Sequence, residues 1–401
     1  MTGGAVGYLF TTFFGLPFEV AWFVMVFQVF FVWSQTFLFG DPYAPGWITP
    51  ALPLVLMFLA AFQPGPDAVM AMTAVMLLVG LVFLFFGVTG LGQRFISWVP
   101  PSIKSGIILG AALAAFLGEY ERIISLPVTC LTASGVAVFL MFSPWIGKIR
   151  KKHKSVFYLA SLAYLVGLVT AGITGYLGGE LTYMFKWGIY VPPVSDYFAM
   201  MLPYSIGWPT LDMFVTAIPL VFAIYVIAFG DMITGEAIIS SAKKVRDDPE
   251  AVVNHKRSHL ALAIRNLAHL FTGGPFIPLH GPVWTGVTAF IWEKFARLHC
   301  YEKTAYEGTT SFYMLAFVLI FLWPAISLAQ PLLPIALHLT LILTAIVCAY
   351  VSLGMVKHRT EYMTMILMAT VIGVYGITWG IIVGIIVHIG LIGLKKEPVE
   401  N

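Results

Sequence analysis

The sequence predicts an all-α polytopic membrane protein of about 14 transmembrane segments, on three observations. Of its 401 residues 59% are hydrophobic and 10% charged, with a mean hydropathy of +0.90, against about 25% charged in soluble domains. Lys and Arg gather in alternate loops. Two apolar stretches, Gly46-Trp47-Ile48-Thr49-Pro50-Ala51-Leu52-Pro53 and Gly274-Pro275-Phe276-Ile277-Pro278-Leu279-His280-Gly281-Pro282, are interrupted by proline. A span takes about 20 residues, so short loops leave no room for a sizeable soluble domain.

Apolar runs bounded by charge or by Pro and Gly place the spans at 5–16, 18–39, 47–62, 68–90, 103–118, 129–147, 155–178, 212–240, 257–273, 279–296, 310–328, 332–353, 361–375 and 377–394. The first is short: its 12 residues rise about 18 Å against a hydrocarbon core of about 30 Å. The chain is therefore expected to begin within its first helix. The pairs meeting near 330 and 376 also read as single long helices.

Basic residues test the count, because they favour cytoplasmic loops. Arg94 and Lys104 follow the fourth span, and Lys148, Arg150, Lys151, Lys152 and Lys154 the sixth. Lys243, Lys244, Arg246, Lys256 and Arg257 follow the eighth, Lys294, Arg297 and Lys303 the tenth, Lys357 and Arg359 the twelfth, and Lys395 and Lys396 the last. Outside the spans, Arg122 and Lys186 alone fall on the other side. Both termini are thus expected in the cytoplasm, with the chain multi-pass in a bacterial inner (plasma) membrane.

An internal repeat divides the chain. Pro50 and Pro275 are 225 positions apart, and Pro101 and Pro334, each opening an apolar helix, are 233 apart. Seven spans per half is an odd number, so the second half must be inverted, a recurring transporter device. The segment from 179 to 211, rich in Trp, Tyr and Pro, joins the halves and is expected to lie against the bilayer.

Other classes are excluded by what the sequence lacks. The basic residues are dispersed, which argues against nucleic acid. Cys130, Cys300 and Cys348 have neither metal nor disulfide spacing and read as core thiols. There is no HExxH, GxSxG or P-loop, so an enzyme is not expected. Neither a cleaved signal peptide nor a cytoplasmic module after the last helix is expected.

The stretches "GWITPALPLVLM", "GLGQRFISWVPPSIKSGIILGAAL", "FGDMITGEAIISSAKKVRDDPE" and "GGPFIPLHGPVWTGV", in that order and spacing, resemble the nucleobase/ascorbate (xanthine/uracil) permease family and the sulfate permease family that shares its fold. The resemblance covers nearly the whole chain. It implies two inverted seven-helix repeats with short strands at spans 3 and 10. It also implies a core domain from 1–90 and 212–330, and a gate domain from 91–211 and 331–401. Solute would sit between the strands and the eighth helix. The acid that binds the base on the eighth helix has its counterpart in Asp231; the acid on the tenth has none, since Gly281-Pro282-Val283-Trp284 follow His280. A homodimer through the gate domain is similar to the family.

Within the spans, ionisable groups mark candidate chemistry, because each is costly in hydrocarbon. Asp231 reads as a solute contact or proton carrier, or else as a helix cap or partner of Arg265. Glu236 lies about 140° round the helix from it, at the cytoplasmic half of the path or near Lys243. His280 reads as a solute ligand or proton relay, or as a packed hydrogen-bonding residue. Arg265 reads as an anion attractor or as an ion-pair partner of Asp231 or Glu236, and Asn266 as a brace for the broken segments. Thr49, Pro50, Ile277 and Gly281 offer backbone groups and helix N-termini, or are simple kinks. Glu19, Asp67, Glu119 and Glu121 read as interfacial, and His269, His338 and His388 as isolated.

The expected function is a secondary active transporter of a small polar or anionic solute, by elevator-type movement, with no cofactor beyond a coupling H+ or Na+. A channel or exchanger on the same fold is the nearest alternative. Arg265 and His280 lean towards an anion, Asp231 towards a nucleobase.

Overall fold

The computed structural model describes residues 5–149, 152–245, 251–295 and 318–393. The chain starts with α1 (Ala5–Phe14) and α2 (Phe18–Phe37), then strand β1 (Gly46–Trp47), a 3-10 turn (Thr49–Ala51) and α3 (Leu52–Leu59). There follow α4 (Pro66–Thr89), the short α5 (Gly92–Trp98), α6 (Pro101–Gly118), α7 (Tyr120–Ser125), α8 (Pro127–Phe142) and α9 (Pro144–Ile149). Next come α10 (Lys154–Ser161), α11 (Ala163–Leu177), α12 (Val194–Met201), α13 (Pro203–Ile206), α14 (Leu211–Lys243) and α15 (His255–Gly273). Strand β2 (His280–Gly281) precedes α16 (Thr285–Ala289), which runs into a π-helical turn (Phe290–Phe295). The last helices are α17 (Trp323–Ala329), α18 (Leu333–Gly354), α19 (Arg359–Tyr375) and α20 (Ile377–Leu391).

Prolines start the helices and glycines stop them, as the local chemistry requires. Pro66, Pro101 and Pro127 occupy first-turn positions, where the N–H that proline lacks would have no partner. Gly90 (φ 73°) ends α4 and Gly376 (φ 90°) separates α19 from α20. Among the described residues five continuous helical stretches are long and apolar enough to cross a bilayer: Phe18–Phe37, Pro66–Thr89, Pro101–Ser125, Leu211–Lys243 and Trp323–Gly354. The segment expected at 155–178 is two helices, parted at Leu162. Of the segment expected at 310–328, residues 310–317 lie outside the described residues, and the rest is a 3-10 turn followed by α17.

Helices pack in two groups. α4 lies against α15 and α14, and α2 against α1 and α15. Separately, α6 lies against α19, α18 and α20, and α8 against α11 and α18. The most extensive contact in the second group, α6 against α19, includes Gly106 and Gly110, which face Met368 and Ile372 with no side chain of their own; without a hydrophobic drive between helices in lipid, such close backbone packing carries association. α1, α3 and α14 touch both groups.

The connection after α11 is fastened to the helices it passes. Lys186 Nζ lies 3.1 Å from Glu19 Oε1, the Tyr190 hydroxyl donates to Glu19 O at 2.7 Å, and the buried Tyr197 hydroxyl donates to Gly273 O at 2.7 Å. Cys130 and Cys348 are buried free thiols; Cys300 lies outside the described residues.

Candidate functional site

The two interrupted stretches meet. β1 and β2 pair antiparallel, Gly46 opposite Gly281 and Trp47 opposite His280, and Ile48 N donates to Leu279 O at 3.2 Å. Backbone groups freed by the prolines therefore satisfy one another across more than 230 positions of sequence, as buried backbone in hydrocarbon must. Contact is so close that a Cβ on Gly281 would stand 2.5 Å from the Trp47 carbonyl carbon. Next to it Leu279, among the described residues the one non-glycine with positive φ (55°), holds a conformation that costs about 1–3 kcal/mol and persists only where the surroundings impose it.

Those surroundings come from α15. The fully buried Arg265 guanidinium donates to the carbonyls of both glycines, Gly281 O at 3.0 Å and Gly46 O at 3.4 Å. It also donates to Phe31 O at 2.7 Å, to Gln35 Oε1 and to His280 Nδ1 at 3.3 Å. Asn266 brackets the opposite side of β2: its Oδ1 accepts from His280 N and its Nδ2 donates to His280 O, each at 3.0 Å. Arg265 is thus no ion-pair partner of Asp231 or Glu236, contrary to one sequence expectation; carbonyl dipoles of the ladder receive its donors instead.

His280 is fully buried and engaged at every polar atom. Because a guanidinium can only donate, His280 Nδ1 accepts and its proton sits on Nε2, 2.7 Å from His269 Nδ1. His269 then carries its own proton on Nε2, a buried nitrogen with no hydrogen-bond partner, while its ring stacks on Phe31 at 4.7 Å. His269 was expected to be isolated and is not. Its signal lay in spacing: Arg265 and His269 are i,i+4 on α15, one face of a helix, and Ser258 and Leu262 continue that face.

A second set of groups missed by sequence reading extends this network. Gln35 Nε2 donates to Pro282 O at 2.6 Å and lies 3.4 Å from Asp41 Oδ2. Asp41, fully buried, accepts from Ser258 Oγ at 3.0 Å and Arg257 Nε at 3.2 Å. Apart from each other, the partners of Gln35 and Asp41 lie more than 200 positions away, so nothing local marks either residue.

On the other side stands α14, which touches the 3-10 turn and α3. Tyr43 Oη reaches Met232 O at 3.5 Å, one residue from Asp231. Asp231 is half-buried, sits inside α14 rather than capping it, and forms no hydrogen bond or ion pair with a described residue. Glu236, expected near Lys243, instead faces His255 Nε2 at 3.0 Å. Thr49 and Pro50 are half-buried in the 3-10 turn, while Ile277 and Gly281 are buried. The structure thus brings Arg265 and Asn266 together behind Gly281 and His280 of the ladder and leaves Asp231 and Thr49 half-buried.

Glu119 is a further correction. Read as interfacial, it is 1% exposed, and its carboxylate bonds Arg122 and, at 2.7 Å, His338 Nδ1. His338 Nε2 is 2.6 Å from Ser134 Oγ, and His388 Nδ1 is 2.9 Å from Ser102 Oγ, so neither histidine is isolated. Among the described residues no group of three His, Cys, Asp or Glu side chains could hold a metal.

No family profile matches the sequence, and no curated protein matches it. Among solved structures the chain is similar to the transmembrane domain of a cyanobacterium bicarbonate transporter, BicA, at 17% identity and a TM-score of 0.53 over 97% of this chain and 95% of that one. It is similar also to SLC26A9, at 13% identity and a TM-score of 0.52 over 98% of this chain and 64% of that one. Murine Slc26a9, described as an anion transporter in the inward-facing state, matches at 14% identity and a TM-score of 0.51 over 97% and 67%. At these identities the likeness is one of fold, and the fold is the sulfate-permease one that the sequence resemblance implied.

Proposed function

We propose that the chain is a secondary active transporter that carries a small anion across the membrane. The observation that carries this reading is the glycine ladder backed by Arg265, with Asp231 half-buried and unpaired on the facing helix. A fixed cation behind the ladder makes its solute side electropositive, and the N-terminus of α3 adds the positive end of a helix dipole. Thr49, Pro50, Ile277 and Gly281 offer the backbone surface. Arg265, Asn266 and His280 hold that surface in place. Asp231 opposes an anion unless a coupling cation, H+ or Na+, neutralises it, and that requirement ties solute to ion. The solved structures that share the fold are named as anion transporters, which supports the solute class.

In this reading fourteen crossings form two inverted repeats with cytoplasmic termini in a bacterial inner membrane. A core of 1–90 and 212–330 slides against a gate of 91–211 and 331–401, and a homodimer forms through the gate. The two helix packing groups support that division. The unpaired Asp231 also suits a neutral nucleobase, which is the second reading.

Proteoliposome uptake of labelled bicarbonate, sulfate and uracil separates them. Saturable, counterflow-capable uptake of an anion, lost in Asp231→Asn while expression is intact, is the expected result. Unsaturable flux would indicate a channel, uracil alone would favour the nucleobase, and unchanged coupled uptake in Asp231→Asn would end the role assigned to that carboxylate.

A further inference from the structure

A cleft of about 390 Å³ runs between α4, α5 and α14. Leu78, Val82 and Phe86 line one wall, Ile218 and Tyr225 the other, and Phe95 of α5 closes the end. From Leu78 to Phe86 it follows α4 for about 12 Å, most of one leaflet's half of a hydrocarbon core of about 30 Å. Its walls are apolar along this length, with the Tyr225 hydroxyl turned away to His259 Nε2 at 3.2 Å.

Three cations stand around the closed end. Arg94, exposed, lies 5.8 Å over the Trp98 ring, and Trp98 is itself 62% exposed, as suits an aromatic residue at the headgroup layer. The Lys256 side chain lies over Gly90 at the end of α4. Lys104 Nζ reaches Ile96 O at 3.5 Å. None of the three forms an ion pair with a described residue. An apolar slot along the helices, ending beneath uncompensated positive charge at the interface, matches one molecule class in both parts: an acyl chain below an anionic headgroup.

We infer that this cleft is a binding site for an anionic phospholipid, held by Arg94 and Lys256 at the headgroup and by the α4–α14 groove along one acyl chain. The inference rests on the membrane fold and not on the transported solute, so its failure leaves the proposed function untouched. Native mass spectrometry of the detergent-purified chain, given equal dioleoyl-phosphatidylglycerol and dioleoyl-phosphatidylcholine, tests it. Phosphatidylglycerol should be retained preferentially, and the preference should fall about fivefold for each cation removed by Arg94→Gln and Lys256→Gln. Val82→Trp, which fills the groove, should lower retention of phosphatidylglycerol with both cations present. If that variant fails to fold, Ile218→Trp applies the same block at a 57% exposed position. Equal retention of the two lipids, a preference unchanged in the Gln variants, indifference to the groove block, or displacement by excess inorganic phosphate would each overturn the site.

Discussion

Gly281→Ala should weaken solute binding by a factor of about 5 to 150. The added methyl would fall 2.5 Å from the Trp47 carbonyl carbon and 2.7 Å from Ile48 N, both backbone atoms that cannot rotate away. Carbon contacts are comfortable only from about 3.5 Å, so β1 must retreat by roughly 1 Å. That retreat stretches the Arg265 bond to Gly46 O, already 3.4 Å, and moves Thr49 and Pro50 with it. Overpacking of this kind costs about 1–3 kcal/mol; set against the binding-competent arrangement, this is the factor of about 5 to 150. Gly286→Ala is the matched control, because a Cβ there meets nothing within 4 Å, and it should be neutral or stabilising by up to about 1 kcal/mol. The assay is solute affinity by thermal shift of the purified protein, with uptake in proteoliposomes alongside. Wild-type affinity and wild-type thermal midpoint in Gly281→Ala would refute the claim that the ladder sets the site.

Asn266→Ala leaves the buried His280 N–H and C=O without partners, at about 1–3 kcal/mol each; a loss of stability under about 1 kcal/mol would show that the bracket is dispensable. Glu119→Ala leaves the buried His338 and the half-buried Arg122 without their carboxylate and should destabilise by about 2–3 kcal/mol, whereas Ser134→Ala should cost about 1 kcal/mol; equal midpoints for the two variants would contradict the network. Glu180, beyond the end of α11, caps α8 by accepting from Val128 N at 2.9 Å, Thr129 N at 2.8 Å and the Thr129 hydroxyl at 2.5 Å. Partial burial raises its carboxyl, but these hydrogen bonds outweigh burial and hold it below its ordinary value. A carboxyl lowered in the folded state contributes stability above its unfolded value, near 4.3, and loses it as pH falls through the folded value. Glu180→Gln should therefore lower the thermal midpoint at pH 7 and match wild type in strong acid; a pH-independent difference would contradict the cap.

Much of the helical layout was legible because proline and glycine act locally. Pro66, Pro101 and Pro127 suit the first turn of a helix, and Gly90 and Gly376, at positive φ, suit its end. The two interruptions were equally visible because each gathers several prolines within a short apolar run, whereas the lone Pro219 sits inside α14 without ending it. Partner choice was not legible. Sequence alone offers Arg265 the acids of α14, but a guanidinium donates to any well-placed oxygen, and the fold sets the carbonyls of Gly46 and Gly281 against it. Glu119 ends its helix in sequence yet is buried, because α7 turns back and α18 brings His338 against it. Gln35 and Asp41 carry no periodicity of their own, and only the folded positions of Pro282 and Ser258 give them a purpose.

The ladder between Gly46 and Gly281 also orders events during synthesis. From 46 to 281, 235 positions separate its strands, so at about 5–20 residues per second the first strand waits roughly 12–47 seconds for the second. Throughout that interval its edge carries backbone polar groups that lipid cannot satisfy. The nascent first half must therefore be sheltered, at the insertion machinery or in water, until α15 delivers Arg265 and β2. A ribosome stall or a truncation before residue 281 would release a chain whose midpoint cannot rest in a bilayer, and quality-control proteolysis would find its substrate there.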